Sequence, residues 1–141
     1  EEILFPTPIG DLGKVDLRYT TLPQRYAFTG FADRARGPAT NSYARFDLHT
    51  GTMDSFFAGD THTLQECSFV PRRGSSEEGD GYLIGTVSNL AEMRTELVIA
   101  DARRLGEGEL ARVHLPFRAA AQVHGCWYDA EQLAPPAEER A

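Results

Sequence analysis

The sequence has little of what marks secreted or membrane-spanning proteins. It holds two cysteines in 141 residues, Cys67 and Cys126, which are too few for a disulfide scaffold. A reducing cytoplasm is therefore the expected location. The apolar runs, such as residues 97–100, are far shorter than the roughly 20 residues that cross a bilayer, so we expect no membrane span. The first residues have neither a basic region nor a long apolar stretch and predict no signal peptide.

Positive charge is also scarce. The chain has 14 Lys and Arg residues against 21 Asp and Glu, which gives a formal net charge of −7. A protein of this charge repels phosphate backbones, which argues against general binding of nucleic acid. The hydrophobic fraction of 41% and the charged fraction of 25% are ordinary for a globular protein.

Long amphipathic helices are missing as well, because no long stretch repeats its apolar residues with a helical period. Short runs rich in β-branched and aromatic residues alternate with turns of Gly, Asp, Asn and Pro. Asp47 to Gly51 can close a hairpin, with Gly51 free to take a positive φ. A single helical turn is expected over residues 102–105. Seven strands are predicted, over residues 24–31, 41–48, 53–58, 67–72, 81–89, 95–101 and 109–116.

Seven short strands at this spacing predict an antiparallel all-β fold, whether sandwich, barrel or propeller. A propeller blade takes four strands and about 40–50 residues. The chain is too short to close a propeller and holds about two blades' worth of strands. It lacks an initiator Met and begins within the pattern of short extended runs and turns, so we expect it to be a piece of a longer protein. We expect a folded portion over residues 1–133 and a disordered tail over residues 134–141.

Three segments, in chain order, resemble one known enzyme family. They read GKVDLRY and LPQRYAF at residues 13–19 and 22–28, then ECSFVPRRG and EEGDGYL at 66–74 and 77–83, then ELVIADA, ARVHLP and VHGCW at 96–102, 111–116 and 123–127. They are similar to the PRID-R and P-RYAY, EP-FVPRPG and EDDGYLL, and ELVILDA, ARV-LP and FHG-W segments of carotenoid cleavage oxygenases, and together they span residues 13–127.

The resemblance implies a seven-bladed β-propeller of which this chain is the C-terminal part. The family holds Fe(II) (Fe2+) with four histidines on the propeller axis and cleaves an alkene double bond with O2 into two carbonyl products. By resemblance His124 is the last iron ligand, and Glu66 is the carboxylate that orients its imidazole. The other three ligands lie upstream, so the isolated chain is expected to be inactive. A second family glutamate matches Asp11, whose shorter side chain and poor alignment leave its role open.

The same resemblance implies the partners. They are a small apolar or aromatic alkene (a stilbene-type phenylpropanoid or an apocarotenoid), O2, and the missing N-terminal part of the propeller. Residues 19–23 favour the lignostilbene or isoeugenol group over the enzymes that act on long carotenoids.

Other interpretations of the same residues stay open at this point. The chain could be a free-standing β-sandwich binding module, or a catalytically inactive structural fragment. Cys67, His124 and Cys126 are ligand types that suit Zn2+, although their spacing matches no standard zinc knuckle. The three remaining histidines, His49, His62 and His114, are predicted to lie at the surface. The aromatic residues Phe117 and Trp127 are predicted to be core residues.

Overall fold

The computed structural model describes Ile3, Phe5 and residues 9–133, which form two antiparallel sheets of four strands each. The predicted tail over residues 134–141 lies outside the described residues. The first sheet contains β1 (Ile9–Lys14), β2 (Tyr26–Ala32), β3 (Ser42–Asp47) and β4 (Thr52–Phe57). The second contains β5 (His62–Pro71), β6 (Gly81–Asn89), β7 (Arg94–Asp101) and β8 (Glu109–His114). Three short 3-10 turns span Leu17–Tyr19, Leu105–Glu107 and Ala130–Gln132.

Each sheet is a meander, in which every strand pairs with the next one in the sequence. This is the topology of a propeller blade, whereas sandwiches commonly use Greek-key connections between their sheets. The prediction of an all-β chain with about two blades of antiparallel strands is therefore confirmed. Within the described residues, none of the helical turns has the length and apolar character of a membrane-spanning helix.

The main core lies between the two sheets. Along β6 every second residue is buried, which is the pattern of a strand with one face on a core. Phe28 of the first sheet stacks on Phe69 of the second, with ring centroids 5.1 Å apart. Tyr43 is 1% exposed and its hydroxyl donates to the Gln65 carbonyl oxygen at 2.9 Å. These contacts join the two blades through apolar burial together with a buried hydrogen bond.

The first sheet also buries residues on its other face. Phe31, Ala44 and Phe46 form a second cluster there. Phe5 packs on Phe46 with ring centroids 4.5 Å apart. The first sheet therefore buries apolar residues on both of its faces.

Both strands that begin a sheet carry a β-bulge. In β1, Asp11 pairs with Gly30 and Lys14 with Phe28, so β1 has one residue more than β2 over this stretch. In β5, Leu64 pairs with Val87 and Cys67 with Gly85, which again leaves one extra residue. A bulge bends its strand and changes where the neighbouring side chains point.

Some details of the prediction were wrong. The expected helical turn over residues 102–105 is a 3-10 turn over Leu105–Glu107, because Ala102 is fully buried and its amide donates to the Gly81 carbonyl oxygen. Strand β1 was not predicted at all. The hairpin turn was predicted correctly: the Gly51 amide donates to the Asp47 carbonyl oxygen at 2.9 Å, and Gly51 has a φ of 68°.

Candidate metal centre

After β8 the chain crosses the second sheet on the face that points away from the first sheet. We call residues 115–125 the crossing segment. It is attached at β7, where the Ala119 amide donates to Thr95 Oγ1 at 2.8 Å. It is attached again at β5, where the Gln122 amide donates to Gln65 Oε1 at 3.1 Å. These two contacts carry the chain from β7 to β5 and deliver its last residues to the bulge of β5.

The crossing segment brings together the two residues that the resemblance singles out. His124 Nδ1 lies 3.3 Å from Glu66 Oε1. The amide of the next residue, Gly125, donates to Glu66 Oε2 at 2.7 Å. The Glu66 side chain is 4% exposed, whereas that of His124 is 71% exposed. A nearly buried carboxylate thus holds an imidazole that projects outwards.

A third group completes the surroundings of the carboxylate. Lys14, the last residue of β1, places Nζ 3.0 Å from Glu66 Oε1. Burial raises the pKa of Glu66, but hydrogen bonds from the Gly125 amide, Lys14 and His124 outweigh burial and hold that pKa below its usual value. Glu66 is therefore ionised near neutral pH and can only accept hydrogen bonds.

The ionisation of Glu66 determines which nitrogen of the His124 imidazole donates to it. Because the carboxylate accepts, His124 Nδ1 is the donor in this contact, and a neutral imidazole that donates through Nδ1 has its lone pair on Nε2. This arrangement, in which a ligating imidazole donates its other N–H to a carboxylate, is the usual one at metal centres. The pair therefore fits an imidazole ligand for a divalent metal ion such as Fe(II).

The described residues could supply one such ligand and not a complete site. Among Ile3, Phe5 and residues 9–133, no group of three or more His, Cys, Asp or Glu side chains could hold a metal ion. His49 is exposed in the turn after β3, and His114 is exposed on β8, both as predicted.

The prediction that His62 is a surface residue was wrong. It begins β5, pairs with Asn89 of β6 and is 16% exposed at its side chain. Its Nε2 lies 3.4 Å from Glu96 Oε2. Strand β5 begins five residues earlier than expected, which draws this histidine into the sheet. Burial raises the pKa of Glu96, but hydrogen bonds from Asn89, Arg112 and Arg94 outweigh burial and bring it down to about 2.

The geometry argues against zinc at the two cysteines. Cys67 is 1% exposed and belongs to the core between the sheets. Burial raises the pKa of its thiol to about 12, so it carries no thiolate for a metal near neutral pH. Cys126 is exposed on the other side of the sheet, next to Gly125. The two sulfur atoms therefore do not form a site with His124.

Asp11 lies close to this centre without contacting the imidazole. It is exposed on β1 and borders, together with Glu66 and Gln122, a cavity of about 170 Å3. Its Oδ1 accepts from the amide of Leu12 at 2.7 Å, within its own strand. The carboxylate that contacts His124 in the described part of the chain is Glu66.

An apolar cavity of about 310 Å3 adjoins the centre. Hydrophobic and aromatic linings of this kind suit apolar ligands. Its border is mostly apolar, with Gly125, Val15, Leu17, Phe69, Pro71 and Trp127, but it also includes the polar side chains of Lys14, Arg18, Ser68, Asp129 and Gln132. The prediction that Phe117 and Trp127 are core residues was wrong, since they are 58% and 46% exposed. Both lie on irregular chain beyond β8, outside the alternating pattern that buries strand residues.

Sequence reasoning missed Lys14 as part of the centre. Its partner Glu66 lies 52 residues further along the chain, so no local pattern links the two. One signal was available: Lys14 is the only lysine in the chain, among 14 basic residues. The contact between Lys14 and Glu66 becomes visible only in the folded structure.

Comparisons with known proteins find relatives that match most of this chain. Isoeugenol monooxygenase of Pseudomonas nitroreducens is 39% identical over 123 residues, which are 80% of this chain and 26% of that protein. The crystal structure of Pseudomonas brassicacearum lignostilbene dioxygenase matches with a TM-score of 0.79 and 34% identity, over 84% of this chain and 27% of that one. The crystal structure of cobalt-substituted Synechocystis ACO, an apocarotenoid oxygenase, has a TM-score of 0.83 and 26% identity, over 88% and 26% of the two chains.

The chain thus spans about a quarter of the length of these relatives. The family profile of the retinal pigment epithelial membrane protein, RPE65, matches residues 4–129. Family match, relatives and two-blade architecture all confirm the resemblance, and the chain belongs to the RPE65 family of carotenoid oxygenases, as part of its β-propeller.

Proposed function

We propose that this chain is the C-terminal part of a non-haem Fe(II) dioxygenase, which cleaves an alkene double bond and places both atoms of O2 in the two carbonyl products. The observation that carries the proposal is the pair of His124 and Glu66, in which Nδ1 is held by the carboxylate at 3.3 Å and Nε2 is left for a metal. His124 would be one imidazole ligand, and Glu66 would orient it. Because the described residues hold no complete metal group, the isolated chain is expected to be inactive.

The names of the relatives support an aromatic alkene as the substrate class. One is an isoeugenol monooxygenase and another a lignostilbene dioxygenase. An apocarotenoid is the second candidate, because a further relative is an apocarotenoid oxygenase. The apolar cavity beside Gly125 supports either class, since both offer it an apolar face.

The residues of this chain would aim one ligand of the centre. Fe(II) bound there would supply the open coordination positions at which O2 is activated. Glu66 fixes the tautomer of His124 and the direction of its ring. The Gly125 amide fixes the second carboxylate oxygen at 2.7 Å, so the carboxylate cannot rotate away from the ring. We also propose that the protein is located in the cytoplasm, because the chain has only two cysteines.

The test uses the longer protein that contains this chain, purified under anaerobic conditions. Iron per chain and O2-dependent cleavage of a stilbene, isoeugenol and an apocarotenoid are measured together. His124→Ala is expected to lose both iron and turnover, because it removes a ligand. Glu66→Gln keeps an acceptor oxygen but loses the charge, so metal affinity or activity should fall about 10- to 100-fold.

The matched control is His49→Ala, since His49 is exposed in a turn and should keep iron and activity. His62 does not serve as a control, because it contacts Glu96. Near-normal iron and turnover in His124→Ala would refute the proposal. Cleavage under 18O2 then shows whether both oxygen atoms enter the two products, as proposed here, or only one does.

A further inference from the structure

Two of the β-bulges in the described strands, those of β1 and β5, meet at Glu66. The bulge of β1 ends at Lys14 and contains Leu12, whose backbone is left-handed with a φ of 57°. The bulge of β5 lies between Leu64 and Cys67 and so contains Glu66. Non-glycine residues in this conformation are uncommon, and bulges are frequent next to active sites, where they redirect a side chain. Both distortions are located where Lys14 of the first blade contacts Glu66 of the second.

Lys14 makes two contacts there. Its Nζ lies 3.0 Å from Glu66 Oε1 and donates to the Gly125 carbonyl oxygen at 3.4 Å. Glu66 in turn accepts from the Gly125 amide and contacts His124 Nδ1. The four residues form a closed ring of contacts, in which Lys14 is the member contributed by the first blade.

The burial of Glu66 explains why the ammonium group of Lys14 is needed beside it. The side chain of Lys14 is 24% exposed and that of Glu66 is 4% exposed. An ionised carboxylate this deeply buried is unstable without a compensating charge. His124 is neutral when it ligates a metal, and the Gly125 amide has no net charge. The ammonium of Lys14 is therefore the positive charge that balances Glu66 on the protein side.

We infer that Lys14 is a positioning residue for the metal centre: it anchors Glu66 Oε1 from the neighbouring blade and thereby fixes the direction in which His124 presents Nε2. The inference rests on the function proposed above and adds a residue that acts through Glu66. It also links the packing of the two blades to the metal centre, because a movement of β1 relative to β5 would displace Lys14 from Glu66.

The experiment compares Lys14→Met and Lys14→Arg in the longer protein. Lys14→Met keeps most of the apolar stem and removes the charge, whereas Lys14→Arg keeps the charge with different geometry. The first measurement is the rate at which a chelator removes iron. We expect this rate to rise at least about tenfold in Lys14→Met, the lower bound for loss of an outer-shell partner, and to stay within a few-fold of wild type in Lys14→Arg. The second measurement is the visible spectrum of the Co(II)-substituted protein, which should shift in Lys14→Met.

A double-mutant cycle separates positioning from a general structural role. If Lys14 acts through Glu66, then Lys14→Met should add little to the defect of Glu66→Gln, whereas independent effects add. Arg36→Met is the control for the loss of one positive charge, since Arg36 pairs with Asp33 away from the centre. Thermal midpoints show that each variant is folded.

The outcomes are distinct. Wild-type iron retention in Lys14→Met overturns the inference, as does a Lys14→Arg variant that behaves like Lys14→Met, or an additive cycle. If His124→Ala keeps its iron, the proposed function fails first. If His124→Ala loses iron while Lys14→Met keeps it, the proposed function stands and only the inference about Lys14 fails.

Discussion

Gly85 offers a sharp test of how the two blades are joined. It lies on β6, opposite Cys67 of β5 and Val98 of β7. A Cβ atom added there would lie 2.0 Å from the hydroxyl oxygen of Tyr43 and 2.6 Å from Cζ of its ring. Real Cβ atoms do not approach other atoms so closely, so Gly85→Ala must displace a ring that is 1% exposed.

The cost of this displacement follows from its two components. Overpacking a well-filled core costs about 1–3 kcal/mol. Moving the ring also breaks the hydrogen bond from Tyr43 to the Gln65 carbonyl oxygen, a contribution of about 1 kcal/mol. Gly85→Ala should therefore destabilise the contact between the blades by roughly 2–4 kcal/mol.

Hydrogen exchange measures this loss locally, even in a protein too large for two-state unfolding. Since about 1.4 kcal/mol corresponds to a factor of ten, the protected amides of β6 should exchange about 30- to 700-fold faster. Gly13→Ala is the matched control, because its added Cβ has the Phe28 carbonyl oxygen at 3.9 Å as its nearest neighbour. Tyr43→Phe should offset part of the defect, since it removes the closest atom. Equal exchange in Gly85→Ala and Gly13→Ala would refute the packing argument.

Two further predictions concern buried ionisable groups. Glu96 has a folded pKa of about 2 against an ordinary value of 4.5, so its ionisation stabilises the fold above about pH 4.5, and this contribution is lost as pH falls towards 2. Thermal midpoints measured against pH should therefore fall on acidification, and more shallowly in Glu96→Gln; equal slopes would contradict this. Cys67, with a thiol pKa of about 12, should not react with DTNB until the protein unfolds. A native reaction that disappears in Cys67→Ala would show that the core admits solvent.

Strands that carry β-branched and aromatic residues between turn signals were predictable from the sequence, whereas β1 and the first half of β5 were not. Strand β6 was predicted with its observed bounds, because its sequence is rich in β-branched and aromatic residues. Strand β1 was missed, since its bulge and the left-handed Leu12 break any period of two. The first half of β5 was missed for a related reason: Leu64 is its one apolar residue before Cys67.

The candidate metal centre was likewise predictable from the sequence only in part. A sequence motif was enough to single out His124 and Glu66, and the structure places them in contact. Their roles at a metal stay predictions. Lys14 could not be predicted, because its contact depends on how two blades pack and on two bulges that no local pattern announces. The exposed positions of Phe117 and Trp127 were missed because aromatic character alone does not reveal the end of a sheet.

The crossing segment sets an order of assembly. The strands of each sheet pair with their neighbours in sequence through short turns, so each meander can form from local contacts. By contrast, the contact between Glu66 and Gly125 joins residues 59 apart, and that between Lys14 and Gly125 joins residues 111 apart. A chain that ended before residue 124 would still contain all eight strands, yet the carboxylate of Glu66 would face no imidazole. We therefore expect His124 to reach its place after the strands have paired, next to a carboxylate that β5 already carries and Lys14 of β1 already contacts.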